Sequence, residues 1–167
     1  MTLKRKAIID VIALACLYGM RVLAGGYATG TVVSPWLAAL AAFLFLSLAL
    51  VKRCAELVDR KQAGLGDPVG RGYRLDDLPV LETMAVTAGY NSALVLALYI
   101  STIADPALYS RPQFLWLLCM VLLAWLSRIF LLTHRGLMND DPVIFAVRDR
   151  WSLVMGSVCV LVVMASI

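Results

Sequence analysis

The chain has 167 residues, 62% of them apolar and 16% charged, with a net charge of +4 and a mean hydropathy of +0.85. A soluble domain has roughly a quarter of its residues charged and under half apolar, so this composition excludes a water-soluble globule and, by its apolar excess, a disordered chain. Four cysteines with no C-x-x-C pair exclude a small disulfide scaffold, a single histidine excludes a histidine-built metal cluster, and an integral membrane protein remains.

A bilayer core of roughly 30 Å takes about 20 apolar residues per helix. Five segments qualify, at about 7–24, 35–51, 80–102, 112–133 and 151–167, forming one transmembrane domain over 1–167. The first carries Asp10 and Arg21 and lacks a cleavage site, so it reads as a span and not as a signal peptide. Gly25, Gly26 and Gly30 are expected to break the chain before the second span, which opens on Ser34-Pro35, a cap residue followed by proline at the first helical position. The fifth helix is expected to begin early, at Asp141-Pro142, by the same logic. Cys16, Cys54, Cys119 and Cys159 lie in or beside apolar stretches and read as small packing residues.

The loops alternate in character. One side holds Lys4, Arg5 and Lys6, the 52–79 loop with Lys52, Arg53, Arg60, Lys61, Arg71 and Arg74, and the 134–150 loop with Arg135, Arg148 and Arg150. The other side holds Arg111 alone. The positive-inside rule then puts the N-terminus and both long loops in the cytoplasm, with a bacterial inner membrane as the expected location. Most of the acids share that side: Glu56, Asp59, Asp67, Asp76, Asp77, Asp140, Asp141 and Asp149, with Glu82 just inside it. Long loops dense in both signs are where a membrane enzyme would do its chemistry.

If the second helix continues past the membrane, Lys52, Glu56 and Asp59 fall at i, i+4 and i+7 on one face, and Arg53 and Arg60 share a neighbouring stripe. Carboxylates so spaced can hold a divalent cation, with the cations beside them taking phosphate; the plainer alternative is a solvated helix end with pairs such as Glu56–Arg60. The glycine-rich 64–72 stretch, followed by Tyr73, Arg74, Asp76 and Asp77, suits a phosphate-binding lid or a plain connector. Ionisable residues within spans cost about 2.5–3.5 kcal/mol on insertion scales and so point to function. Asp10 and Arg21 stand about 16 Å apart along one helix, too far to pair. Arg128 and Arg135 share a face, and Arg128, inside the fourth span, calls for an anionic partner. Glu82 and Asn91 mark a polar face of the third span, and Asp141 and Arg148 share a face if a helix starts at Pro142.

Three runs carry a resemblance: Arg21-Val22-Leu23-Ala24-Gly25-Gly26, Lys52-Arg53-x-Ala55-Glu56-Leu57, and Asp141-Pro142-Val143-x-Phe145-Ala146-x-x-Asp149-Arg150. In this order and spacing the chain resembles the C-terminal part of the UbiA superfamily of intramembrane prenyltransferases, on the branch that contains decaprenyl-phosphate phosphoribosyltransferase. The resemblance implies an all-α bundle of five transmembrane helices, the last five of nine, around a cavity open to the cytoplasm. It implies a polyprenyl phosphate acceptor, a diphosphate co-substrate such as phosphoribosyl pyrophosphate or a prenyl diphosphate, Mg²⁺ as cofactor, and no nucleic-acid partner. Carried onto this sequence, Lys52, Arg53 and Glu56 would be the catalytic groups, with Lys52 and Arg53 meeting the leaving diphosphate. Glu56 and Asp59 would hold the metal, and Arg60, Lys61 and Arg74 would bind substrate beside them. Arg128 and Arg135 would take the lipid phosphate, and Arg148 and Arg150, oriented by Asp149, would close the far wall of a pocket between the inner ends of the last four spans. The family's first acidic motif is not met, since Val143 stands where Asn139-Asp140-Asp141 would need an aspartate, and the second has Glu56 and Asp59 in place of two aspartates four apart. The isolated chain is therefore expected to need a partner chain or self-association to complete the bundle. The alternative from another class is a non-enzymatic membrane subunit or a small transporter.

Overall fold

In a computed structural model the described residues are 8–31, 33–68, 72–103, 111–138 and 141–166, and among them all regular structure is helical. Six α-helices follow in order: α1 (Ile9–Thr29), α2 (Pro35–Gln62), α3 (Leu78–Ile103), α4 (Trp116–His134), α5 (Pro142–Arg148) and α6 (Arg150–Ser166). Four are long and apolar enough to cross a membrane by themselves, and α5 with α6 makes a fifth candidate bent by 80°. With every backbone group paired inside its own segment, helices of this length satisfy what lipid demands of a spanning chain.

The expected break before the second span occurs at Gly30 and not at Gly25-Gly26. α1 runs through both glycines and stops at Gly30, whose φ of +67° is the left-handed conformation that ends a helix. Thr31 N–H then bonds back to the Gly26 carbonyl at 2.9 Å, closing a Schellman turn. Glycine inside a helix weakens it in water, where freed backbone can hydrate, but lipid offers no such alternative. α2 begins as its sequence predicts, the Ser34 hydroxyl accepting from Leu37 N–H at 3.1 Å with Pro35 at the first position.

α2 does not stop at the membrane face. Its 28 residues rise about 42 Å, more than the roughly 30 Å hydrocarbon core, so the 52–62 part of the expected loop is helix continuing beyond a span. Adjacent helices are antiparallel, which gathers the start of α1, the end of α2, the start of α3, the end of α4 and the start of α6 at one end of the bundle, here called the charged end. The opposite, plain end is tied where Arg111 N–H bonds to the Ser166 carbonyl at 3.1 Å.

The main core lies toward the charged end, where Val11, Leu50, Val51, Cys54, Leu57, Leu81, Ala85 and Ile129 are buried around α2, with Tyr73 and Met138 sealing it from the loops. A smaller cluster, Ile100, Leu115 and Cys119, packs the plain end. Close approach of α2, α3 and α4 depends on Gly89: a Cβ there would lie 2.7 Å from Phe130 Cζ and 2.9 Å from Ser47 Oγ. Ser47, fully buried, donates to the Ala85 carbonyl at 2.8 Å and so leaves no unpaired hydroxyl in the interface.

Candidate functional site at the charged end

Two turns of α2 carry Lys52, Arg53 and Glu56 past the apolar core, and each cation leaves the helix in a different direction. Lys52 Nζ reaches across to Asp141 Oδ2 at 2.5 Å, joining residues 89 apart in sequence. Asp141 is also the cap of α5, its other oxygen accepting from Val143 N–H at 3.0 Å. Burial works against ionising this carboxyl, but the Lys52 ammonium and the Val143 N–H outweigh it and hold the group below the usual carboxylate range. The expected start of a helix at Pro142 is met, although α5 lasts only seven residues before the chain turns.

Arg53 turns the other way, toward α1. Its guanidinium pairs with Asp10 and with Glu56, and lies 5.4 Å over the Tyr73 ring. Tyr73 Oη donates to Asp10 at 2.6 Å and accepts from Ile8 N–H at 2.6 Å, fastening the chain ahead of α3 to the start of α1. Burial, aided by the bond to Asp10, pushes the Tyr73 phenol up to about 12. Arg53 Nε is buried without a hydrogen-bond partner, a donor that native structures seldom leave unused. Asp10 was legible only as an intramembrane charge; its partner is Arg53, on another helix.

Arg128, one and a half turns inside α4, does find an anion, and it is the chain's own. Both guanidinium nitrogens bond to Asp149, at 2.6 and 3.0 Å, over the face of Phe145 at 5.7 Å. Asp149 therefore orients Arg128, whereas the sequence pattern assigned it to Arg148 and Arg150. Asp149 also accepts from Ser152 N–H and Ser152 Oγ, at 2.8 and 2.9 Å, and Trp125 Nε1 donates to Ser152 Oγ at 3.0 Å. One residue thus closes α5 with its backbone N–H, bonded to the Phe145 carbonyl at 2.8 Å, while its carboxylate opens α6 and holds α4.

The remaining predicted residues stand apart from this cluster. Arg60 spans to the Gly66 carbonyl with two bonds, at 2.9 and 3.2 Å, and stabilises the turn after α2. Asp59, Lys61, Arg74, Arg135, Arg148 and Arg150 are exposed. Arg135 ends α4, and its carbonyl accepts from Gln62 at 3.4 Å. His134 and Glu82 pair at 2.9 Å at the mouth of a cavity of about 210 Å³ between α2, α3 and α4. That cavity is apolar below its mouth, lined by Val51, Ala85 and Phe130, and none of the predicted basic residues faces it. Among the described residues, Lys52, Arg53 and Arg128, expected in one anionic pocket between the inner helix ends, sit in three ion-paired clusters. Lys4, Arg5, Lys6, Gly70, Arg71, Asp105, Asn139 and Asp140 lie outside the described residues.

No three His, Cys, Asp or Glu side chains converge as a metal site among the described residues. Glu56 and Asp59 are one turn apart, the first engaged by Arg53 and the second exposed. A Mg²⁺ ion at this pair would need most of its oxygen ligands from substrate phosphates and water.

No family model matches the chain. Two curated bacterial proteins are similar to it. The nodulation protein NoeC of Azorhizobium caulinodans is 36% identical over 148 residues, covering 88% of this chain and 48% of NoeC. The protein y4nM of Sinorhizobium fredii, described as uncharacterized, is 33% identical over 159 residues, covering 93% of this chain and 30% of y4nM. The chain therefore spans about half the length of one curated relative and under a third of the other.

Proposed function

We propose that the chain forms the C-terminal part of a UbiA-like membrane transferase that moves a group from a diphosphate donor, such as phosphoribosyl pyrophosphate, to a polyprenyl-type lipid phosphate. The observation that carries this reading is the Lys52–Asp141 bridge: the second and third runs behind the family resemblance, 89 residues apart, meet at the charged end. Arg53 adds a buried N–H still lacking an acceptor, which an arriving phosphate oxygen would satisfy. In this reading Lys52 and Arg53 bind the donor, with the half-buried Arg60 and the exposed Lys61 and Arg74 along its approach. Glu56 and Asp59 would hold Mg²⁺, which when bound neutralises a departing diphosphate. Arg128 and Arg135 face the lipid phosphate, and Arg148 and Arg150 flank them. The charged end is then cytoplasmic, in a bacterial inner membrane. A partner chain or a second copy completes the bundle, in keeping with relatives of which this chain covers 48% and 30%.

One observation favours the rival reading of a non-enzymatic membrane subunit. Lys52, Arg53 and Arg128 are each already neutralised by carboxylates of the same chain, as ties between helices would be. Calorimetric titration of the full chain in nanodiscs with phosphoribosyl pyrophosphate separates the two. Binding that requires Mg²⁺ and weakens about tenfold in Lys52→Ala and Glu56→Gln is expected, the loss of one charged hydrogen bond each. Transfer by the isolated chain should be weak or absent. Heat-silent titrations with intact folding, or affinities unchanged in both variants, would leave the subunit reading.

A further inference from the structure

α1 is the least covered of the spanning helices, with 11% of its apolar window buried against 22–39% in α2, α3 and α4. Leu17, Met20 and Tyr27 are exposed and fall on one stripe of the helix, with Arg21 at its border toward α2. Arg21 stands about 18 Å along the axis from Ile9 and about 12 Å from Thr29. An arginine escaping lipid would extend toward the nearer end, at Thr29. Its guanidinium does the reverse, lying back over the Tyr18 ring at 5.3 Å, and that ring stacks on Phe45 of α2 at 5.4 Å. The charge is thereby held on the bundle surface at mid-span.

Among the described residues no carboxylate is within ion-pair range of Arg21. The described acids all sit at the charged end, the nearest along α1 being Asp10, which is committed to Arg53 and Tyr73. Among its described residues a second copy of the chain therefore brings no acid to this depth; on this face it brings another Arg21. Lipid tails offer a guanidinium nothing.

We propose that the α1 face bearing Leu17, Met20 and Arg21 docks a transmembrane helix from a different polypeptide segment, one that places a carboxylate at the depth of Arg21. Charge complementarity selects the acid, and the relatives supply the reason to expect extra polypeptide, since 52% of NoeC and 70% of y4nM lie outside the matched stretch (100 − 48 and 100 − 30). The inference sharpens the partner proposed above, and it holds equally for a transferase and for an assembly subunit.

The test uses the full chain, labelled and reconstituted in phosphatidylcholine vesicles, with synthetic helices of about 24 residues in a Leu/Ala host carrying one central Glu or Leu. Energy transfer should show the Glu helix binding about tenfold more tightly than the Leu helix. That preference should vanish in Arg21→Leu and persist in Arg21→Lys. Arg21→Leu removes a lipid-facing charge and should keep its helicity by circular dichroism. Equal binding of the two helices, a Glu preference that survives Arg21→Leu, or efficient disulfide dimers through Met20→Cys in a background lacking the native cysteines would overturn the proposal. No substrate enters the readout, so its failure is distinct from failure of the transferase reading.

Discussion

Asp141 does two jobs with two oxygens, and substitution can separate them. Asn caps a helix about as well as Asp but cannot hold an ammonium, so Asp141→Asn should keep α5 and free Lys52. Asp141→Ala should lose both, at a further cost of about 1 kcal/mol. The folded carboxyl titrates below its unfolded value, so its contribution is present above about pH 4 and is lost as pH falls through the folded value. A probe on the exposed Val147 should therefore report release of α5 on acidification in the parent, and a smaller response below pH 4 in Asp141→Asn, where only Asp149 still titrates from a lowered value. Tyr73 has the opposite sense. Its phenol is raised to about 12, so its contribution is intact below pH 10 and declines only as pH climbs through that value.

At the scale of elements, helix packing rests on a few contacts that side-chain size decides. Gly89→Ala would force Phe130 and the buried Ser47 apart and should destabilise the bundle by about 1–3 kcal/mol, measured by denaturant unfolding in detergent. Gly25→Ala meets nothing within 4 Å and should be tolerated. The helices were legible in the sequence because apolar length and Ser34-Pro35 and Asp141-Pro142 are local signals. The end of α1 was misplaced because glycine obeys different rules in lipid. The pairings at the charged end were not legible. Asp10 with Arg53, Lys52 with Asp141 and Arg128 with Asp149 each join different elements, and helical spacing gives only the face a residue occupies, not the neighbour that it meets.

For the whole molecule, the distribution of charge and the fold agree on a single polarity. Every ion pair among the described residues lies at the end where the long loops emerge, and the turn after α1 is at the other. In a background lacking the native cysteines, Thr29→Cys should react with an impermeant maleimide only from the side opposite the 52–79 loop, and Gln62→Cys only from the loop side. Thr29 reacting from the loop side would invert the topology. The core is also concentrated at the charged end, so hydrogen exchange should be slowest around Leu50 to Leu57 and faster toward Thr29 and Ile103.

The 80° corner between α5 and α6 has a mechanical meaning. Asp149 is the pin of the joint: its carboxylate ties α4 to the start of α6, and its backbone N–H closes the last turn of α5. Such a pin couples its arms energetically, and a thermodynamic cycle exposes that coupling. Arg128→Met alone strands a carboxylate that is 15% exposed and should cost about 3 kcal/mol. Adding Asp149→Asn, which still caps α6, should recover much of that loss, so the double variant unfolds later than the first single one. Strict additivity would mean that the corner is held by the backbone instead. If the pin governs it, a shift of α4 by a fraction of a turn is transmitted as a swing of the seven residues of α5 across the mouth of the charged end, with α6 as the fixed post.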